Sequence, residues 1–450
     1  MIGDTGELLA LAQTVVDRAR PGEQLECVVG RGRGTSVKAY GGEVESFTSA
    51  ESFGLGIRVI VDHRQGFAHA GSHDPDVVAA TLAEARDNAT FGEPDDWNGL
   101  AEPDGVAPVD QDLWDEALFA VPTERKVELA LELERRVTGL DPRVTAVRTA
   151  GYGDGSGEAA VCSTTGIAVT GRSTHCSVSV SALANDGDET QIGGAVDVGR
   201  QPAQLDLARV AGDAVERATR MLGASPTESQ RLTVVFDPRM AATLLAIAGG
   251  TLTGERVLKG RSPFADRLGE AIASPALTLV DDPTDARSMA ADRHDGEGLA
   301  CRRNPLIVDG VLDRFLHDSY SARRAGTVST GSAVRGSRST PGVGCQALAV
   351  LPGDRSPDEL IAGIDRGMVV QSLSGVHSGV NAVSGDFSVG AEGLLIRDGE
   401  LAEPVREVTL ASTLQRLVLG VEAVGNDLEW LPGGTGSATL VVGDVSLGGR

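Results

Sequence analysis

Phe53, Leu55, Ile57, Val59 and Val61 put an apolar side chain at every second position, and the run turns through 62–66 into Phe67 and Ala68. A period of two sends all five to one side of an extended backbone, so the segment is expected as a strand with one face on a core. Gly30, Gly32, Gly34, Gly41, Gly42 and Gly54 break the flanking sequence into short alternating pieces. From Leu25 to Ala70 the chain therefore reads as an antiparallel meander. The same texture returns where Cys176, Val178, Val180 and Ala182 alternate with Ser177, Ser179 and Ser181 and lead to a hairpin signal at Asn185-Asp186-Gly187.

Helical patterns bracket each meander. Leu8, Leu9, Leu11, Val15 and Val16 precede the first, and Asp74 as N-cap with Pro75 opens a helix after it, with Val78, Leu82, Ala85 and Ala89 on one face. Thr123 to Val137 precedes the second, and the stripe Leu207, Val210, Ala211, Ala214, Val215, Ala218 and Leu222 closes it. Helix, strands, helix thus occurs twice, as a duplicated α+β unit would give. Between the two units, Phe91 to Pro122 holds four prolines and no periodicity. After Pro226, strand signals dominate, with Asp-Gly turns at 309–310 and 398–399 and a capping box at Ser356-Pro357-Asp358-Glu359. The expected class is α+β: an N-terminal helix-and-meander unit over 1–92, an extended linker over 93–121, a second such unit over 122–225, and a β-rich domain over 226–450.

Composition removes several function classes. Forty basic residues face 64 acidic ones, a net charge of −24, which argues against nucleic acid or an anionic membrane as partner. The three lysines, Lys38, Lys126 and Lys259, never follow the glycine that a phosphate-binding loop requires. Cys27, Cys162, Cys176, Cys301 and Cys345 are scattered and odd in number, so neither a disulfide framework nor a zinc ribbon is indicated. Met1 to Val16 lacks the basic start of a secretory signal, and no apolar run reaches the ~20 residues of a membrane span. A cytoplasmic protein is expected.

Two polar clusters could carry chemistry. Asp281, Asp282, Asp292, His294, Asp295 and Glu297 could hold a divalent cation, with Asp282, His294 and Glu297 as the set for an independent hydrolase, although their Pro and Gly neighbours equally describe turns. Ser372 to Asn381 surrounds His377 with hydroxyls and glycines, which suits nucleophilic catalysis or simple hydrogen-bonded turns.

The ordered landmarks of the second half resemble the TldD/PmbA family. They include Asp237-Pro238 with Ala241 to Leu245, Ser262-Pro263-Phe264, Leu277 to Pro283, Asp295 to Gly298, Ile307 to Leu312, Asp318 to Arg323, Ser329-Thr330-Gly331, Ser384 to Ser388, Ile396 to Glu400 and Gly425 to Leu428. Members of that family, some also named as modulators of DNA gyrase, form two-subunit metallopeptidases. In the TldD member an H-E-x-x-x-H helix and a later cysteine bind zinc, and the glutamate is the general base. At the matching helix this chain has Ala246 and Thr251 for the histidines and Ile247 for the glutamate, and Glu429-Trp430-Leu431-Pro432-Gly433 stands where the cysteine would fall. Alanine and isoleucine cannot ligate zinc.

The resemblance therefore implies a PmbA (TldE)-like member lacking the zinc-binding motif. It implies a non-catalytic subunit that itself holds no cofactor, serves a zinc-containing TldD-like partner as a heterodimer, or pairs with itself, and acts on unfolded or leader peptides. Ser329, Thr330 and Gly331, with His377, Ser378, Asn381 and Asp386, are the expected peptide-contacting residues. The rival readings are the independent hydrolase above and a non-enzymatic homodimeric scaffold or regulator.

Overall fold

The computed structural model describes residues 5–450. Helix α1 (Thr5–Val16) leads into three long strands, β1 (Gln24–Tyr40), β2 (Glu43–Val61) and β3 (Arg64–Ala70), followed by α2 (Pro75–Phe91). The alternating run forms β2 as expected, but its turn is tighter than 62–66. Asp62 and His63 alone make it, with φ of 49° and 62°, and β3 starts at Arg64. The second unit repeats the order as α3 (Thr123–Leu140), β4 (Val144–Ser163), β5 (Ala168–Asp186), β6 (Glu189–Gly199) and α4 (Leu207–Thr219).

The two units share one six-stranded sheet in the order β3-β2-β1-β4-β5-β6. The join is the antiparallel pairing of β1 with β4, where Gly32 faces Gly157 and Cys27 faces Cys162. One half of this sheet is covered by α1 and α2 through Leu8, Val15, Leu55, Ile57, Leu82 and Ala85, the other by α3 and α4 through Leu133, Val137, Tyr152, Val178, Val210 and Ala214. Each half seats its second helix in the same way. A side chain at Gly66 of β3 would strike the backbone of Ala85 and Ala89, and one at Gly193 of β6 the backbone of Ala214 and Ala218. In both, glycine lets a helix lie directly on the strand.

The segment between the units is a packed strap. Leu100, Ala101 and Leu113 are buried, the Asp95 amide donates to His63 and the Thr174 amide to the carbonyl of Leu113. Arg200, 9% exposed, ties this layer to the next by donating to the carbonyls of Leu113, Thr174, Ala286 and Ser288.

The remaining chain runs β7 (Gln230–Phe236), α5 (Pro238–Thr251), α6 (Gly254–Leu258), β8 (Leu279–Asp281), β9 (Asn304–Val308), β10 (Val311–Leu312), α7 (Ser319–Ala325), β11 (Ala333–Val334), β12 (Gly342–Val343) and β13 (Leu348–Val350). It continues with α8 (Pro357–Ile361), β14 (Arg366–Ser374), α9 (Val376–Gly379), β15 (Asp386–Arg397), β16 (Glu400–Thr413), α10 (Leu414–Leu419), β17 (Val421–Val424), β18 (Glu429–Trp430), β19 (Gly436–Ser437) and β20 (Leu440–Gly448). The Asp309-Gly310 and Asp398-Gly399 hairpins and the Ser356/Glu359 capping box form as expected. One sheet has the order β16-β15-β14-β7-β20-β17 and closes on itself because β16 also pairs with β20; a second runs β10-β9-β8-β13-β19-β18.

Helix α5 lies against strands of both sheets, β7 and β14 of the first and β13 and β19 of the second. Its buried stripe is Ala241, Leu244, Leu245 and Ala248, while Met240 and Ile247 flank the core instead of filling it. No helix among the described residues is long and apolar enough to cross a membrane.

Candidate functional site

Asp237 fixes the start of α5: its Oδ1 accepts the Met240 amide at 2.9 Å, and its other oxygen meets Arg217 at 2.7 Å. The helix then presents Ala246 to solvent, leaves Ile247 half-buried and turns Thr251 fully inward, where its hydroxyl donates to the carbonyl of Ala248 at 2.6 Å. Two of the three positions carry only carbon, and the third has its hydroxyl committed to its own backbone. The 429–433 segment lies close by, because α5 packs on β19, whose ladder partner β18 begins at Glu429. Glu429 is 3.6 Å from Arg209, and burial raises its carboxyl above the ordinary value. Trp430 lies against Gly436 and under the Arg287 guanidinium, 5.9 Å from the ring centre. The thiol of Cys345 packs against Gly249 of α5, and burial pushes its pKa well up, so it is a neutral thiol. These side chains do not fit zinc: they offer no imidazole or thiolate, and the nearest carboxylate is held by arginine.

The acidic cluster separates into individual engagements. Asp282 accepts the Thr284 amide at 3.1 Å and faces Arg303 at 3.5 Å. The amide of His294 donates to Asp292, and burial lowers the pKa of its ring. Glu297 accepts the Ser319 amide at 2.9 Å and stands 3.7 Å from Arg58. Asp282, His294 and Glu297 therefore do not form the ligand set their spacing allowed, and among the described residues no group of three or more His, Cys, Asp or Glu side chains is arranged to hold a metal. The reason is topological: 281–282 ends a strand, whereas 295–298 is a tight turn pinned by Asp295, which accepts the amides of Glu297, Leu299 and Ala333.

Burial makes the neighbouring carboxyls the unusual ones. Asp281 is pushed up to about 7, its Oδ1 accepting the Gln346 and Ala347 amides while Oδ2 has no partner. Asp295 is pushed up to about 7 by burial and by Glu297, against the pull of its three amide donors.

Sequence reasoning missed the other partners of Glu297. Glu26 of β1, 1% exposed, accepts two hydrogen bonds from Arg58 of β2 at 3.0 and 3.1 Å and one from Arg335. Burial works to raise the Glu26 carboxyl, but Arg58 and Arg335 outweigh it and hold it below its ordinary value. For Glu297 burial wins, and its carboxyl is raised in spite of Arg58. Four ionic side chains from the N-terminal sheet and the 295–335 region thus meet away from water. The available signal was a charge inside each apolar strand, Glu26 between Leu25 and Cys27 and Arg58 between Ile57 and Val59.

The expected peptide-contacting residues fall into two groups. Ser329 and Thr330 donate to the carbonyl of His317, Thr330 also accepts the His317 amide at 2.8 Å, and Gly331 turns the chain with φ of 65°. His317 packs its ring on Gly254, and burial lowers its pKa. His377, Ser378, Asn381 and Asp386 are all exposed on the α9 turn between β14 and β15. Ser378 donates to the Gly375 carbonyl at 3.2 Å, and Asn381 accepts the Val383 amide at 2.9 Å. Among the described residues no hydrogen bond or ion pair joins the two groups.

The three domain models of the PmbA/TldA metallopeptidases match in order: domain 1 over residues 25–89, the central domain over 116–222 and the C-terminal domain over 229–449. The chain belongs to the PmbA/TldD metallopeptidase family. The metalloprotease PmbA of Escherichia coli O157:H7 is 29% identical over 407 residues, which is 90% of this chain and 88% of that protein. A metalloprotease TldD homologue of Haemophilus influenzae is 26% identical over 424 residues, 88% of this chain and 86% of its own. Among solved structures, a Bacteroides thetaiotaomicron protein whose name refers to modulation of DNA gyrase superposes over the full length of both chains with a TM-score of 0.90 at 26% identity. TldE of Thermococcus kodakarensis covers 99% of this chain and 100% of its own, with a TM-score of 0.88 at 25% identity. Relatives of this PmbA/TldD chain thus include both PmbA- and TldD-named proteins.

Proposed function

We propose that this chain is the non-catalytic subunit of a TldD/TldE-type zinc metallopeptidase acting on unfolded or leader peptides in the cytoplasm. The observation that carries the reading is α5 with its neighbour β18: Ala246, Ile247 and Thr251 on the helix supply no metal ligand or general base, and the one carboxylate beside it, Glu429, lies against Arg209. A TldD-like partner would hold the zinc, whose chemistry is to polarise the scissile carbonyl and activate water. This chain would contribute binding surface. The exposed 375–386 turn, with His377, Ser378, Asn381 and Asp386, offers hydroxyl, amide and imidazole groups to a peptide backbone, and Ser329-Thr330-Gly331, held at His317, would be a separate contact.

Co-expression with an H-E-x-x-x-H homologue, followed by peptidase assay of each chain alone and together, tests the reading. Activity is expected only from the pair. Turnover by this chain alone, retained after removal of trace protease, would overturn it, and a stable self-dimer that refuses the homologue would favour the scaffold role.

A further inference from the structure

The internal repeat of the N-terminal sheet exposes an asymmetry. In each half the second strand is longer than its outer neighbour: β3 pairs only with Leu55–Val61 of β2, and β6 only with Cys176–Asp186 of β5. On β5 the strap meets the remaining edge at Thr174, whose amide donates to the Leu113 carbonyl at 2.9 Å and whose hydroxyl accepts the Asp115 amide at 3.0 Å, and Leu113 is buried. On β2 no equivalent segment exists among the described residues. Residues 43–52 are exposed on both faces, paired only to β1, with Phe47 45% and Val44 42% exposed. An uncovered ten-residue edge is unusual, since exposed ladder groups invite another strand.

We infer that the outer edge of β2 over residues 43–53 docks an extended peptide bearing lysine or arginine. The charge on the edge selects this occupant. Glu43, Glu45 and Glu51 are the only charged side chains of β2 in that span; on the paired strand β1, Arg33 forms an ion pair with Glu51 at 3.9 Å and Lys38 stands opposite Ser46, which leaves Glu43 and Glu45 without an ion-pair partner among the described residues. Pairing β2 with β2 of a second copy would gather six carboxylates on one short ladder, where like charges facing each other destabilise. A basic segment pairs them instead. Backbone hydrogen bonds to the edge give sequence-tolerant affinity, and Val44 and Phe47 offer apolar contact to alternate side chains of the guest. The inference rests on the peptidase-subunit reading, for which it names a substrate class and a second holding point remote from α5.

The test uses the full chain without a catalytic partner, so its outcome is independent of the co-expression assay. Fluorescence anisotropy is measured with a labelled decapeptide of alternating Lys and Val, and with its Glu/Val counterpart, at low and high salt. The basic probe is expected to bind, more weakly as salt rises, and the acidic one not to bind. Glu43→Lys/Glu45→Lys/Glu51→Lys should weaken the basic probe at least tenfold and admit the acidic one. Hydrogen exchange on the unmodified chain should show protection of 43–53 when the basic probe is added. Unchanged affinity in a folded triple variant, or protection elsewhere, would overturn the assignment. Concentration-dependent protection of 43–53 without peptide would overturn it in favour of a second copy.

Discussion

Replacing Gly66 by alanine would set a methyl group against the carbonyl oxygen of Ala85 and 2.8 Å from the Ala89 Cα, and replacing Gly193 would set one 2.8 Å from the carbonyl carbon of Arg217. Carbon pairs settle at about 3.5–4.0 Å, so α2 or α4 must retreat by about 1 Å to admit the methyl. The obstructing atoms are mainly backbone, which no rotamer change can relieve. The cost therefore belongs at the upper end of overpacking, about 3 kcal/mol. If the N-terminal layer unfolds as one cooperative unit of about 200 residues, that is a fall in Tm of roughly 6–12 °C, at about 2–4 °C per kcal/mol.

The control is Gly212, inside α4, where an added Cβ meets nothing within 4 Å. Gly212→Ala should stabilise by about 0.5–1 kcal/mol through lost unfolded-state entropy. Differential scanning calorimetry of the three variants decides the matter. A second check is Ala85→Gly in the Gly66→Ala background, which should not rescue stability because the clash is with the Ala85 carbonyl. If Gly66→Ala and Gly193→Ala both leave Tm within about 1 °C, close helix–sheet approach is not what these glycines provide.

Glu297→Ala removes the acceptor of the Ser319 amide but leaves Arg58 its two hydrogen bonds to Glu26, so it should cost about 1–3 kcal/mol, read as a lower denaturation midpoint. Arg200→Ala removes hydrogen bonds to four carbonyls from two layers, and faster hydrogen exchange is expected at both 111–115 and 286–288. Asp281 has its folded pKa raised to about 7 from 3.8, so the folded chain keeps a proton that the unfolded chain releases. Its contribution is fully present below about pH 4 and lost as pH rises to about 7, by up to about 4 kcal/mol. Asp281→Asn should flatten that part of the stability–pH curve. Exchanging the 375–386 turn for a short Gly-Ser linker should lower peptide turnover by the assembled pair while leaving its assembly unchanged, as measured by co-purification and a peptidase assay.

Local structure was legible wherever it depends on near neighbours. The two-residue alternation of 53–61, the Asp74-Pro75 helix start, the Asp-Gly hairpins and the Ser356/Glu359 capping box each follow from interactions spanning a few residues, and all appear in the fold. Short helices such as α7 and α10 were not legible, since seven and six residues are too few to show a helical period and their packing, α7 on α6 and α10 on β16 and β20, is tertiary. At 281–297 the sequence left a turn and a cation site both open, because residues close along the chain need not be close in space; a strand end and a turn pinned by Asp295 send their side chains to different partners.

The sequence by itself determined that the chain has two like α+β units, a β-rich remainder, and at α5 no imidazole, thiolate or carboxylate side chain. Covalent chemistry and short-range periodicity settle such things. Only the tertiary structure decided that the two units share a sheet through β1 and β4, that Glu26, Arg58, Glu297 and Arg335 meet across more than 300 residues, and that the strap bonds to the β5 edge at Thr174 while residues 43–52 of β2 pair only with β1. Those outcomes depend on which distant surfaces bury each other, and desolvation penalises a charge or a strand edge only once the fold has brought its neighbours into place.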